Sequence, residues 1–188
     1  MLSIREKIIK IFYKAATKNH NIRYKRFLIT PLGGIFFFSF IATFIYLSTQ
    51  LDKFLRFPKP FLSPINIILS IPFLIIGVII LSWSLLHFIK KQGTPVPLAP
   101  PPKLIISGPY KYVRNPLLSG LFILLFGVGT LLNSISIIFI FNPLFISVNI
   151  LELKTIEEPE LEKRFGKEYF EYKKKTPMFI PWFKKNKK

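Results

Sequence analysis

The chain has 188 residues, 51% of them hydrophobic and 16% aromatic, and 27 Lys and Arg against 9 Asp and Glu give a net charge of +18. This length suits one compact unit, so we expect a single domain over residues 1–188. No cysteine is present and only two histidines are, which excludes disulfides and Cys-ligated zinc and disfavours any metal site. The basic residues flank long apolar runs, so we expect no nucleic-acid partner.

Residues 1–31 form a basic N-terminal region. Apolar side chains recur in it at helical spacing, at Ile4, Ile8, Ile11, Phe12 and Ala15. Basic residues occupy the other faces, a pattern typical of a helix that lies on an anionic membrane surface. A basic tail that only aids solubility is the alternative interpretation.

Two apolar segments, at about residues 32–51 and 65–89, are each long enough to cross the bilayer. A span needs about 20 residues. A third apolar stretch, residues 117–151, is too long for one span, and Asn133 and Ser134 near its middle predict a turn. We therefore expect a tight hairpin of two short helices there. Pro143 should interrupt the second of them with a kink.

The charges test this count of spans. With four spans, the N-terminal region, the loop 90–116 and the tail 152–188 share one side of the membrane and hold 24 of the 27 basic residues. The opposite side keeps only Lys53, Arg56 and Lys59. Because positive residues concentrate in cytoplasmic loops, we predict an all-α integral protein of the cell membrane with about four spans and both termini cytoplasmic.

The cytoplasmic loop 93–120 has specific sequence features that a simple connection between two helices would not require. Its start is stiff and extended because five prolines restrict the backbone, at Pro95, Pro97, Pro100, Pro101 and Pro102. Pro116 suits the first turn of the next helix, with Asn115 as its N-cap. A helix N-terminus beside Arg114 is expected to attract an anion.

Residues 152–175 form a second cytoplasmic segment. Four apolar or aromatic side chains are spaced to share one helical stripe that can dock on membrane or protein: Leu161, Phe165, Tyr169 and Tyr172. The pairs Glu160–Arg164 and Glu171–Lys175 are expected to be helix-surface ion pairs. The adjacent acids Glu157 and Glu158 differ, because Glu157 has no cation four residues later. Taken alone, such a pair is more often solvated surface than a site.

Together the two segments resemble the isoprenylcysteine carboxyl methyltransferase family, within the wider group that includes phospholipid methyltransferases. One motif is Gly-Pro-Tyr-Lys-Tyr-Val-Arg-Asn-Pro at 108–116, followed by Gly120. The other is Glu-Glu-Pro-Glu-Leu at 157–161, followed by Phe165-Gly166 and Tyr169. Gly-Thr-Pro-Val-Pro at 93–97 resembles the bacterial and archaeal branch. The resemblance covers roughly residues 75–182.

This resemblance implies a membrane methyltransferase that binds S-adenosylmethionine at cytoplasmic segments and receives a lipophilic substrate, prenylated or phospholipid, from the bilayer. By position, the implied cofactor contacts are Leu104, Ile105, Tyr110, Asn115, Pro116, Leu117, Leu118 and Glu157. The implied catalytic residues are Arg114, Asn115 and Glu158, and Gly120 supports them. No metal is implied.

Two departures leave the acceptor open between a carboxylate and an amine. A Tyr of the first family motif is Leu118 here. An Arg that eukaryotic members use for the substrate carboxylate is Leu153 here, beside Lys154. His87 is either a proton acceptor for an amine or an ordinary interfacial residue. Two further hypotheses remain, a membrane reductase and a scaffold that keeps the fold without catalysis.

Overall fold

A computed structural model describes the backbone of residues 4–17, 22–91, 101 and 103–181, with the side chains of residues 12 and 15–30 left out. Every regular element in these ranges is helical, which confirms the all-α prediction for them. The α-helices are α1 (Ile4–Thr17), α2 (Ile22–Phe54), α3 (Ile65–Lys90), α4 (Pro116–Leu131), α5 (Asn142–Glu152), α6 (Glu158–Phe165) and α7 (Lys167–Lys175). A 3₁₀ turn covers Gly108–Lys111, and π-helical turns cover Ser136–Phe141 and Leu153–Glu157.

Three helices of the described chain are long and apolar enough to cross a membrane: Pro31–Phe54 within α2, Ile65–Lys90, and the continuous helix Ser136–Phe165. The first two agree with the predicted spans. Their apolar side chains face outward, as with Phe36, which is 75% exposed, and this suits a lipid surrounding. The fourth apolar helix, α4, has 16 residues and a length of about 24 Å. The count of four spans and the hairpin therefore stay predictions.

The helix from Ser136 to Phe165 continues through Pro143, so the predicted interruption is not found, while the predicted kink stays a prediction. A proline removes one backbone hydrogen bond and crowds the preceding turn of an α-helix. Here the wider π-helical turn Ser136–Phe141 directly precedes Asn142-Pro143 and absorbs the disturbance. The buried Asn142 amide also donates to the carbonyl of Phe122 in α4 at 3.1 Å.

Polar contacts hold the turn between α4 and the next helix, at the end of the molecule remote from the two motifs. The carboxylate of Asp52, at the end of α2, accepts hydrogen bonds from the Ser134 hydroxyl and, at 2.8 Å, from the Ser136 amide. Asn133, at a φ of 57°, exchanges two hydrogen bonds with the backbone of Phe61. The sequence predicted the turn, but not the role of Asp52.

Glycines let α3 and α4 approach backbone to backbone. A Cβ on Gly120 would lie 2.7 Å from the Leu81 amide nitrogen, and one on Gly77 would lie 2.8 Å from Leu124 Cα. A Cβ on Gly127 would lie 3.0 Å from the Leu74 amide nitrogen. Gly127 therefore also lies in this close helix contact. This close contact fixes α4, whose first turn carries one of the motifs, against α3.

Replacing Gly120 with Ala should destabilise the protein by about 1–3 kcal/mol, because the added methyl group meets the backbone of α3 and forces the helices apart. Gly34→Ala is the matched control, since no atom of the described residues lies within 4 Å of a Cβ there. That change should be neutral or stabilise by up to about 1 kcal/mol. Thermal unfolding in detergent measures both. Equal effects at the two positions would contradict the close packing of α3 on α4.

Candidate functional site

The C-terminal strap, residues 176–181, folds back onto the start of α4. The amide of Arg114 donates to the carbonyl of Pro177 at 2.8 Å, and the amide of Asn115 donates to that of Met178 at 3.0 Å. The Phe179 ring packs on Phe122 in the core, with 5.3 Å between ring centroids. Asn115 is the N-cap of α4 by position, as predicted, although its side chain makes no capping hydrogen bond. The strap, which belongs to neither motif, therefore holds the backbone of Arg114 and Asn115 in the first motif in place.

Arg114 and Glu158 join the two motifs through a buried ion pair. Arg114 Nη2 lies 2.6 Å from Glu158 Oε1, with side chains only 11% and 5% exposed. Arg114 Nη1 donates to the carbonyls of Lys173 and Thr176 at 3.0 and 2.8 Å. The other Glu158 oxygen lies 2.7 Å from Lys173 Nζ. The anion expected beside Arg114 is thus one of the protein's own carboxylates.

Tyr110 lies where the 3₁₀ turn meets the end of α3 and α7. Its buried ring lies 5.7 Å from that of Phe88 and 6.3 Å from that of His87, measured between centroids. The Tyr172 hydroxyl donates to the Tyr110 carbonyl at 2.6 Å. Gly108 enters this turn at a φ of 61°, and a Cβ there would lie 2.7 Å from the His87 ring. The turn therefore requires glycine for both its conformation and its space.

Glu157 differs sharply from its neighbour Glu158. Its side chain is exposed, and no described residue gives it a hydrogen bond or an ion pair. Its negative charge nevertheless acts on Tyr110, whose pKa is raised by burial first and then by the charges of Tyr172 and Glu157. Glu157 ends the π-helical turn Leu153–Glu157, a distortion that often marks functional positions in helices. The site thus offers one uncommitted carboxylate near a fixed aromatic ring.

The remaining residues of the implied site differ in burial. Ile105 and Pro116 are buried, whereas Leu104, Leu117 and Leu118 are half-buried, and Leu118 packs against the core. The motif at 93–97, with Pro100 and Pro102, lies outside the described residues. His87 Nε2 lies 3.0 Å from Ser107 Oγ, so the imidazole supports the loop that leads to Tyr110.

Three expectations for the second segment need correction. Gly166 has a φ of 55° and ends α6, so the predicted stripe is divided between two helices. Glu160 and Arg164 do pair, at 3.2 Å, but with side chains 7% and 10% exposed instead of on the surface. Glu171 lies near Lys174, at 3.7 Å, instead of Lys175. The division of the stripe lets Tyr169 and Tyr172 turn inward toward Arg114 and Tyr110.

Sequence reasoning missed Lys173 and Tyr172 as site residues. Lys173 lies in a run of three lysines, and nothing in the run distinguishes the one that reaches Glu158. Tyr172 was assigned to a docking stripe, whereas its hydroxyl is fixed on the Tyr110 backbone. Both contacts depend on how α7 folds back, which local sequence does not encode.

Four groups around the site make the stability of the protein depend on pH in the alkaline range. Burial raises the pKa of Tyr110, Tyr169 and Tyr172. Burial alone would lower the pKa of Lys173, but its hydrogen bonds to Glu158 and Glu162 outweigh this and raise it. A group whose pKa is higher in the folded than in the unfolded chain contributes its full stabilisation at a pH below its unfolded pKa. This stabilisation is lost as the pH rises from the unfolded toward the folded pKa.

The melting temperature should therefore stay level from about pH 7 to 9 and fall above about pH 10, where tyrosine and lysine of the unfolded chain begin to lose protons. Tyr172→Phe should make this fall shallower. In terms of the free energy of unfolding, the slope against pH should decrease by up to about 1.4 kcal/mol per pH unit. Tyr112→Phe is the control, because Tyr112 is exposed and its removal should leave the slope unchanged. A profile that stays flat to pH 11 in the unmodified protein would contradict the prediction.

The chain is thus an all-helical protein, in its described part, with long apolar helices and a polar site at one end of α3 and α4. A family model described as phospholipid methyltransferase matches residues 65–168, more than half of the chain and all of α3 to α6. The chain belongs to the phospholipid methyltransferase family, a group of membrane methyltransferases. No curated protein and no solved structure matches it.

Proposed function

We propose that the protein transfers a methyl group from S-adenosylmethionine to the amine of a lipid that enters from the bilayer, at the cytoplasmic face of the cell membrane. The observation that carries this proposal is the contrast between Glu157 and Glu158. Both oxygens of Glu158 are engaged by Arg114 and Lys173, whereas Glu157 is exposed and has no ion pair among the described residues. One acid builds the site, and the other is left to bind a ligand.

The residues fit the cofactor. S-adenosylmethionine supplies an activated methyl group, and its ammonium and ribose hydroxyls are donors that a carboxylate such as Glu157 binds well. Tyr110, fixed by Phe88 and Tyr172, offers an aromatic wall. The first turn of α4 adds the half-buried apolar side chains of Leu117 and Leu118. Positioning in a site of this kind is a large part of catalysis of group transfer.

The state of Arg114 favours an amine acceptor over a prenylcysteine carboxylate. A buried carboxylate needs a cation or several hydrogen-bond donors. Arg114 is already committed to Glu158 and to two carbonyls. Leu153, at the position of the family's substrate-binding Arg, is 1% exposed, and the neighbouring Lys154 is exposed. Arg114 therefore has no charge left for a substrate carboxylate, whereas Glu157 has no ion pair among the described residues.

We propose a positioning role for Arg114, Asn115 and Glu158, the residues implied as catalytic. Arg114 and Glu158 bind each other, and Asn115 holds the strap through its amide. His87 belongs to this group as well, since it supports the turn of Tyr110. These side chains shape the site, and Glu157 with Tyr110 contacts the ligand.

S-adenosylhomocysteine tests the cofactor assignment. The purified protein in detergent should gain about 2.7 kcal/mol of stability when this ligand is present at about 100 times its Kd. No stabilisation at millimolar concentration would contradict methyl transfer and favour a scaffold. Oxidation of a nicotinamide cofactor by the membranes would favour a reductase.

Incubation of membranes with methyl-labelled cofactor then tests the acceptor. Label in the extracted lipid should resist mild alkali if it is on nitrogen, whereas release as methanol would identify a carboxyl ester and overturn the amine proposal.

A further inference from the structure

The N-terminal helix α1 packs on the helical segment that carries Glu157. Arg5 Nε donates to the carbonyl of Thr155 at 2.8 Å, although 150 residues separate the two in sequence. Lys163 Nζ lies 4.8 Å from the centroid of the Tyr13 ring. α1 therefore contacts both the π-helical turn Leu153–Glu157 and α6. A segment predicted to lie on the membrane is also part of the wall behind the candidate site.

The contact made by Arg5 has a specific cause in the second motif. In an α-helix the carbonyl of Thr155 would accept a hydrogen bond from the residue four positions later, which is Pro159. Proline has no N–H, so it leaves that acceptor without its usual partner. The Arg5 guanidinium supplies the missing donor two residues before Glu157. A residue from the other end of the chain thus contacts the turn that presents Glu157.

α1 has two opposite faces. Arg5, Ile9 and Tyr13 are spaced four residues apart, and two of them make the contacts just described. The opposite row, at about 100° per residue, is Ile4, Lys7, Ile11 and Lys14. All four side chains of this row are exposed, with Ile4 at 78% and Ile11 at 59%. The face turned away from the protein therefore alternates apolar and cationic side chains.

This exposed row fits an anionic lipid surface. Isoleucines insert between lipid headgroups, while lysines beside them attract phosphate and other anionic groups. The location agrees, because α1 lies against the segment that directly follows the apolar part of the last long helix. The bilayer surface is therefore the neighbour that this row meets.

We infer that α1 binds anionic lipid through Ile4, Lys7, Ile11 and Lys14, and that in this bound position Arg5 holds the turn that carries Glu157. Lipid charge then controls the order of the candidate site. The effect on ligand binding rests on the proposed function, since it requires that Glu157 contact the cofactor. The effect on the turn itself does not.

Hydrogen exchange of the full protein in nanodiscs separates the two parts of this inference. One set of nanodiscs contains phosphatidylcholine alone, and in the other roughly one lipid in four is phosphatidylglycerol, which gives the surface an anionic charge. The amides of residues 153–158 should exchange about fivefold more slowly in the anionic nanodiscs, the size expected for one hydrogen bond. Equal exchange in both lipids would overturn the role of lipid.

Three variants test the residues. Arg5→Gln should raise exchange of the turn about fivefold in anionic nanodiscs, whereas Lys10→Gln removes the same charge from α1 without that contact and should not. The double change Lys7→Gln and Lys14→Gln should abolish the difference between the lipids, and Lys59→Gln, on the other side of the membrane, should leave it. Equal effects of Arg5→Gln and Lys10→Gln would overturn the role of Arg5. S-adenosylhomocysteine binding, measured separately, shows whether the proposed function holds.

Discussion

Replacing Arg114 with Ala should lower the free energy of unfolding by about 3–5 kcal/mol, the cost of removing one partner of a buried ion pair. The change leaves Glu158, which is 4% exposed, with Lys173 as its one described cation, and it removes the donors for two carbonyls at the end of α7 and the start of the strap. The strap should then detach. Chemical unfolding in detergent measures the first effect, and limited proteolysis within residues 173–181 measures the second.

The surface pair of Glu171 and Lys174 provides the control. Glu171→Gln removes an ion pair whose side chains are 46% and 57% exposed, and such pairs contribute about 0–1 kcal/mol. A further variant separates charge from packing. Arg114→Met combined with Glu158→Leu removes both charges together, and should recover much of the stability lost in Arg114→Ala. If Arg114→Ala were as mild as Glu171→Gln, the pair would not be the connection between the motifs.

Replacing Glu157 with Gln should weaken binding of S-adenosylhomocysteine about 10- to 100-fold, because a hydrogen bond to a charged group contributes about 1.5–3 kcal/mol. The unliganded protein should keep its stability within about 0.5 kcal/mol, since the side chain is exposed and bears no structural contact. Isothermal titration calorimetry gives the affinity, and thermal unfolding gives the stability.

Two neighbouring acids make this result specific. Glu162→Gln is the same change one helical turn away, on an exposed side chain that pairs with Lys173 at 2.9 Å, and it should leave affinity intact. Glu158→Gln should instead lower stability, because that carboxylate is buried between Arg114 and Lys173. An affinity loss shared equally by Glu157→Gln and Glu162→Gln would refute the assignment of Glu157.

The parts of the fold that follow from local pattern could be predicted. Apolar runs identified α3 nearly to its ends and the apolar part of α2, Pro31–Phe54, but not the start of α2 at Ile22. Asn115-Pro116 identified the start of α4. The path through Pro143 could not be predicted, because a π-helical turn is a response to packing and leaves no signature in composition. Gly166 could have signalled the break after α6, since glycine commonly ends helices, but the regular spacing from Leu161 to Tyr172 favoured a single stripe.

The two motifs of the candidate site could be predicted from the sequence, but the contacts among their side chains could not. The motifs identify Arg114, Glu157 and Glu158, yet their sequence gives adjacent acids the same chemistry. Only the fold shows that Glu158 faces Arg114 while Glu157 is exposed. The partners that complete the arrangement, Lys173 and the strap, come from a lysine run and a short irregular segment. Neither has a local pattern that predicts a long-range contact.

The strap also sets the order in which the protein can be completed during synthesis. Residue 176 follows Arg114 by 62 positions, and every long apolar helix precedes it in the chain. The start of α4 therefore gains its last hydrogen bonds only after all the described long apolar helices have been synthesised. A chain truncated before residue 176 would keep those helices and lack the strap. The candidate site is consequently completed by the last residues that the structure describes.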